Sequence, residues 1–553
     1  MSDTPPIDTP ILIVGAGPVG LALAIELGLW GIAATVVDEQ PTPVPRPKAN
    51  ATAARTMEHF RRYGCAAEIR RAGMPEDHPT DVAYFTRYAH HELARLSLPS
   101  WGEAVARARA GNPRWPTPEP PHRISQMFVE PVLLRRAREL GACVCFGWRA
   151  TALASADDHA DVTLAGPDGA TRRVRAQWVV GCDGPRSTVR RALGIRYGGE
   201  GQAERDFMGG RMLGIHLRAP ALYDVMRAPR AWQYWTLNRE RRALLITLDG
   251  RGDFVLHTQM APGQDPDAVT TDEARGFVRA AIGADCAFEM LGRWAWNAGF
   301  ALVAEQFGRD RVWLAGDAAH LFTPTGGLGY NTGIDDAANL GWKLAAMLQG
   351  WGGATLVASY QAERLPIAHR NTEMARRFAE SIGRVAIPET IEEPDADGAR
   401  AALGDRLARH AYGEFEIPGL QLGVRYEGSP IVVPDGTPAP PDEPNDYVPS
   451  ARPGGRAPHV WLDAPGGVAL CDYLGPRFML LLMGSETRKA EPLLRIGNRR
   501  GVPIGSTAVF DPAVRALYGA DLVLVRPDQH VAWRGDALPD DVDALWSRVT
   551  GHT

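Results

Sequence analysis

Residues 11–37, ILIVGAGPVGLALAIELGLWGIAATVV, carry Glu26 as their only charge, and the apolar pattern changes period twice within them. The β-branched run Ile11–Val14 gives way to a Gly-Pro turn. Leu21, Ile25 and Leu29 then recur at four-residue spacing, and a second β-branched run starts at Ala34. That predicts strand, helix, strand. The stretch is long enough for a membrane span, but the glycines divide it into three short elements. To about residue 75 the chain continues with another helix, the order expected of a parallel sheet.

Residues 99–122 are rich in Pro and Trp and read as irregular, before a helix around Glu130–Leu140 and strand-like segments turning at GPDG, 166–169. Beyond GCDGPRSTVRRALG the texture becomes that of antiparallel strands: RMLGIHLRA, RAWQYWTLN, RALLITLDG and GDFVLHTQM. Residues 311–349 return to strand, Gly-rich loop and long helix, and SYQAERLPIAHRNTEMARRFAESI continues helically. Residues 385–458 are rich in Pro, Gly and acids and read as a linker or excursion. The last hundred residues form an α/β unit with strand-like FMLLLMG and hairpin-like DLVLVRPDQHVAWRG. No internal repeat stands out.

The expected class is α/β, α+β overall, with a Rossmann-like domain of residues 1–200 and 290–384. An antiparallel sheet domain, 200–290 with part of 80–120, is inserted into it, and a unit of 459–553 follows. A chain of 553 residues needs several cores. Composition adds mainly exclusions. A net charge of −5 with 23% charged residues gives no electrostatic case for nucleic acid or an anionic membrane. Cys65, Cys143, Cys145, Cys182, Cys286 and Cys471 form no C-x-x-C, which suits a reducing cytoplasm. Cys143 and Cys145 would share one strand face, and with no further Cys or His nearby no metal site is expected. The opening MSDTPPIDTP has no positive segment of the kind that starts a signal peptide.

GAGPVG, residues 15–20, fits G-x-G-x-x-G between strand and helix. Gly15 allows the tight turn, Gly17 admits a pyrophosphate, Gly20 lets helix and strand close up, and Pro18 opens the helix. Asp38, followed by Glu39, ends the second strand where a carboxylate accepts hydrogen bonds from a ribose, as in FAD or NAD. Two further elements set this chain apart from a simple dehydrogenase: GCDGPRSTVR, with Asp183 and Gly184, and AGDAAHLFTPTGGLGYNTG, with Gly316 and Asp317.

Together these three stretches resemble the single-component FAD-dependent aromatic hydroxylases, the class A flavoprotein monooxygenases. PKANATAARTMEHFRRYG (47–64), SYQAERLPIAHRN (359–371), RYEGSPIVVPDG and PSARPGGRAPHVWL are most similar to the phenol, dichlorophenol and hydroxyphenylpropionate hydroxylase branch. The resemblance implies tightly bound FAD, transient NADPH or NADH, and hydroxylation of a phenolic or other aromatic substrate by O2 through a flavin C4a-hydroperoxide. It places Asp317 on the ribityl chain and Gly327, Leu328, Gly329, Tyr330 and Asn331 under the flavin ring. The helix after this loop would start near Thr332, with Asp335 and Asp336 in its first turn. Pro324 would lie beside substrate and flavin, and Gln126 and Lys48 would touch the cofactor, Lys48 replacing a usual arginine. Asn50 stands where relatives place Asp or His, and an amide is no base at neutral pH. Tyr234 or Trp235, on opposite faces of one strand with Trp232 paired to Tyr234, and Trp296 are candidate walls for the substrate. His216, His257 and His320 read as structural. The C-terminal unit resembles a thioredoxin-like domain without C-x-x-C, with a structural, dimerising or pocket-covering role, so a homodimer is one expected assembly. WAWNAG half matches a flavin halogenase signature. A Baeyer–Villiger or epoxidising enzyme of the same fold and a non-catalytic FAD-binding redox module are the alternatives.

Overall fold

The computed structural model describes residues 7–43, 46–201, 207–462, 464–484 and 487–553. The first six residues, on which the reading of the N-terminal segment partly rests, lie outside that set. The first apolar run folds as β1 (Ile7–Val14), α1 (Pro18–Leu29) and β2 (Ala34–Asp38). β1 lies at the centre of a sheet, parallel to β2 on one side and to the strand Thr171–Gly181 on the other. Cys143–Phe146 extends it beyond β2, and Val312–Leu314 extends it beyond Thr171–Gly181, both in parallel. Ile11, Leu12, Ile13, Leu21, Ile25, Val36 and Leu314 pack in one core. The parallel strands are covered on both faces, which is why their sequences lack polar alternation.

A second sheet stands over this one. Its strand order is Glu289–Asn297, Arg211–Arg218, Asp253–Gln259, Arg242–Thr247, Gln233–Leu237, Val82–Phe85 and Glu92–Leu96. The pairing of Gln233–Leu237 with Val82–Phe85 is parallel, which joins the inserted sheet to a segment 150 positions earlier. One face packs on its own helix Thr271–Ile282 through Leu213, Ile215, Leu245 and Val278. The other carries Val82, Trp235, Leu244 and Val255 and packs with Ala51, Met127 and Phe128 of the cofactor domain.

Two segments read as irregular are ordered helices. Trp101–Arg109 is capped by Ser100 and Glu103, each side chain bonding the other's backbone N–H. Asp397–Phe415 sets Leu403, Leu407, Ala411 and Phe415 against the inner face of the second sheet, so this part of residues 385–458 completes that core. The helix expected at Glu130–Leu140 spans Gln126–Glu139. In the C-terminal unit the strands run Ile504–Val509, Phe478–Met483, Leu522–Val525, Val531–Gly535 in order. The first pair is parallel and the rest antiparallel, flanked by helices Glu491–Arg499 and Val542–Val549, a thioredoxin-like arrangement.

Candidate active site

Three glycines shape the first loop for separate reasons. A Cβ on Gly15, at φ +110°, would overlap the Cys182 carbonyl, and one on Gly20 would overlap the Gly15 carbonyl. Gly17 has no atom within 4 Å of such a Cβ, so that side of the loop is open to a close ligand. Gly17 caps α1 with Pro18 behind it, no side-chain cap and no acid in the first turn, leaving the positive helix end uncompensated. Asp38 accepts from Ala16 N at 2.7 Å and Gln40 N at 2.8 Å, tying β2 to the loop, and a carboxylate keeps lone pairs beyond these two. Glu39 beside it is exposed.

The second glycine stretch reaches the first. A Cβ at Gly316 would lie 2.9 Å from Val19 Cγ2, and one at Gly333 would lie 2.6 Å from the same atom and 3.0 Å from Gly316 Cα. The loop around Asp317 therefore sits against the start of α1. Asp317 is open to solvent, between buried Gly316 and Ala318. The protein packed around it raises its carboxyl pKa, with His320 and Lys48 pulling the other way.

The helix behind this loop spans Leu328–Leu348, with Gly327 at φ +62° as its cap and no acid in its first turn. The expected start near Thr332 is corrected by one turn, because Gly327 supplies the left-handed residue the entry needs. Asp335 and Asp336 consequently lie two turns in, away from the helix end. Asp335 meets His59 Nε2 at 3.1 Å. Asp336, fully buried, accepts from Gly316 N at 3.1 Å and Arg364 Nε at 2.8 Å and lies 2.6 Å from His320 Nε2. Burial alone would raise its pKa, but His320 and Arg364 hold it below the usual carboxylate range. It fixes the Asp317 loop from behind. The positive end that remains free belongs to Leu328, Gly329 and Tyr330.

Opposite this helix end runs the segment 48–53. Ala49 has φ +26°, a strained value for a residue with a side chain. Gln126 N donates to Ala49 O at 2.9 Å and Ile124 N to Asn50 O at 3.1 Å, which hold the strain in place. Asn331 accepts from Ala53 N at 2.8 Å and donates to Ala51 O at 2.8 Å, while Tyr330 OH lies 2.9 Å from Thr52 Oγ1. The side chains of Asn331 and Tyr330 are thus spent on bracing this segment, and that of Gln126 bonds Glu130. Asp183 likewise accepts from Ser187 Oγ at 2.5 Å and Thr188 N at 2.7 Å at the start of helix Thr188–Ala192. Asn50 Oδ1 is buried without a hydrogen-bond partner. An unmet buried carbonyl oxygen costs about 1–3 kcal/mol, which a hydroxyl donor would recover.

Pro324 is exposed at the loop preceding the helix. Thr325 Oγ1 donates to Ala375 O at 2.6 Å, and Gly326 N donates to Glu414 Oε1 at 2.9 Å. The inner sheet face presents Trp235, stacked on Tyr84 at 5.8 Å, and Trp296, edge-on to His257 at 5.3 Å. Tyr84 OH, Trp296 Nε1 and His257 Nδ1 are buried and unpaired, as is His216 Nε2. Burial lowers His257 to about 4, leaving it neutral. Tyr234 is removed from the candidates. Strand alternation turns it to the outer face, against Phe85 and Tyr88, where its OH accepts from Ala231 N at 2.7 Å. Trp232 precedes the strand and joins Trp235's cluster, so the expected pairing of Trp232 with Tyr234 fails. Glu414 escaped sequence reading because its helix lay in a stretch of linker-like composition; the four-residue spacing of Leu403, Leu407, Ala411 and Phe415 was the available signal. Among the described residues no cluster of three His, Cys, Asp or Glu could hold a metal.

A groove with an open Gly17, a free helix end, and Asp38 and Asp317 along it fits a flavin dinucleotide. Comparison agrees. Residues 8–375 match the FAD binding domain family and residues 450–553 the aromatic-ring hydroxylase C-terminal family. Aklavinone 12-hydroxylase RdmE of Streptomyces purpurascens is 32% identical, covering 97% of this chain and 96% of its own. Phenol 2-monooxygenase of Pseudomonas sp. (strain EST1001) is 28% identical over 100% of this chain and 94% of its own. A structure of RebC with bound 7-carboxy-K252c is 36% identical with TM-score 0.89, covering 99% of this chain and 100% of that one, and another RebC structure holds reduced flavin. This chain belongs to the FAD-dependent aromatic-ring hydroxylase family and is an FAD-dependent monooxygenase.

Proposed function

We propose that the enzyme hydroxylates an extended, fused-ring aromatic bearing a phenolic hydroxyl, and that Asn50 orients that hydroxyl. The orphaned Asn50 Oδ1 carries this reading, since it is an unspent acceptor on a segment that the Ile124 and Gln126 backbones hold and whose Ala51 lies against Gly327. FAD supplies the redox and oxygen-transfer chemistry, with O2 and reduced nicotinamide as co-substrates. Gly15, Gly17, Pro18 and Gly20 would cradle its pyrophosphate, Asp38 and Glu39 its ribose, Lys48 and Asp317 the cleft between. The backbone N–H groups of Leu328, Gly329 and Tyr330 would stabilise negative charge on the ring system. Asn331, Gln126 and Asp183 act through the backbone they hold. Trp235 and Trp296 would flank the substrate's aromatic faces, and Tyr84, His257 and Trp296 offer polar atoms along its edge. The fused-ring choice draws on aklavinone and K252c in the names of similar proteins.

The reading is tested by NADPH oxidation with candidate aromatics and mass detection of a product gaining one oxygen. Stimulation by ketones or olefins alone would favour Baeyer–Villiger or epoxidising chemistry, and oxidation of NADPH with no oxygenated product would favour a redox module. Among the described residues no helix is long and apolar enough to cross a membrane. Within the same reading the enzyme works in the cytoplasm, in keeping with six free cysteines, and the C-terminal unit pairs copies into a homodimer, which light scattering checks.

A further inference from the structure

A cavity of about 460 Å³, in the size range of small-ligand pockets, lies between the helix Trp101–Arg109, the proline-rich stretch 110–121 and the end of the helix Asp397–Phe415. Trp115, Phe415, Pro113 and Pro120 give it apolar walls. None of the groove residues from Gly15 to Asp38, Asp317 or 324–331 lines it.

Arg123 does, and its surroundings are unusual for this protein. The side chains of Arg62, Arg70, Arg364, Arg456 and Arg526 are deeply buried, and each meets a carboxylate. Arg123 is 8% exposed, lies 4.7 Å over the Trp232 ring, and has no hydrogen bond or ion pair among the described residues. Glu416, the acid on the same cavity, is committed to Arg114 Nε at 2.6 Å, and Arg114 also donates to Tyr412 OH at 2.8 Å. Burial pulls Arg123 down to about 10, with Glu416 opposing, so it remains a cation at neutral pH. A desolvated guanidinium with its fork unspent, facing a cavity with aromatic walls, is matched by a planar anion.

We propose that this cavity is an anion site, in which Arg123 forks the carboxylate or phosphate oxygens of a small ligand whose apolar part rests on Trp115 and Phe415. The anion has two natural sources in this reaction: an acid group on the aromatic substrate, or the phosphates of the nicotinamide dinucleotide. Both sources rest on the monooxygenase reading, but the site is defined by binding, so its test does not depend on turnover.

Calorimetry on the full-length, FAD-loaded protein tests it, with 1-naphthoate, its neutral amide, and inorganic pyrophosphate as probes. At least one anion is expected to bind, the amide at least tenfold more weakly than naphthoate if naphthoate is the ligand. Arg123→Gln should weaken that anion at least tenfold, and Arg123→Lys should keep part of the affinity. Ala110→Phe, which fills the cavity from an exposed position with Arg123 intact, should abolish binding and guards against misfolding of the arginine variants. Naphthoate binding alone identifies a substrate acid; pyrophosphate binding alone identifies the nicotinamide. If neither anion binds the wild type, or if an anion that does bind it is held by Arg123→Gln and Ala110→Phe as tightly as by the wild type, the proposal is wrong.

Discussion

In the proposed reading Asp317 and Asn50 divide the chemistry between them, one toward the cofactor and one toward the substrate. Asp317→Ala should give a folded, colourless protein; a yellow preparation with full FAD content by absorbance would remove Asp317 from the ribityl chain. Asn50→Ala should keep its FAD and lose about tenfold in kcat/KM, the worth of one buried hydrogen bond of about 1–1.5 kcal/mol, with more peroxide released per NADPH. Trp235→Ala should weaken substrate binding, whereas Tyr234→Phe, on the outer sheet face, should leave KM unchanged. At this scale the glycines and the Gly-Asp pairs were legible, because each answers to one local requirement. The bracing of 48–53 by Asn331 was not, since those bonds join positions nearly 280 apart. Nor was the strain at Ala49, which only the surrounding backbone imposes.

Elements were legible wherever their period was clean. β1, α1 and β2 follow the apolar pattern of residues 11–37, whereas the start of the helix Leu328–Leu348, placed near Thr332 by the family resemblance, is set by a left-handed glycine. The helix Trp101–Arg109 was hidden by its proline-rich neighbours, though Ser100 and Glu103 form a capping pair at the right spacing. One substitution tests how tightly α1 and the flavin helix approach. Replacing a helical glycine by alanine normally stabilises by about 1 kcal/mol. Gly333→Ala should instead destabilise and release FAD, because its Cβ would meet Val19 Cγ2 at 2.6 Å and Gly316 Cα at 3.0 Å. Thermal melting of the FAD-loaded variant gives the sign, and a higher melting temperature would show that the two glycine stretches do not touch.

In the whole molecule the C-terminal unit is bound to the cofactor domain by a buried ionic network. Arg526 donates to Glu363 Oε1 at 2.5 Å and Asp528 Oδ1 at 3.0 Å, and Lys343 Nζ and Ser429 Oγ each donate to Glu363 at 2.6 Å. Arg55 of the cofactor domain donates to Asp528 O at 2.7 Å. Burial would raise the Glu363 pKa, but Arg526 and Lys343 lower it from 4.5 to about 2. Its folded pKa is thus below the unfolded value, so its contribution is complete above pH 4.5 and is lost as pH falls toward 2. Acid titration followed by tryptophan fluorescence should show that loss, and Glu363→Gln should be destabilised at pH 7 and flatter in acid; an unchanged acid profile would remove Glu363 from the interface. Nothing in the sequence marked this network, because its partners come from three distant segments.

Oxygen insertion into an aromatic ring at the Asn50–Asp317 groove has an isotopic signature. Turnover under ¹⁸O2 with NADPH and a fused-ring phenol should give a hydroxylated product two mass units heavier than under ¹⁶O2. NADPH oxidation that yields only peroxide across the phenols, or label found only in products from ketones, would contradict it.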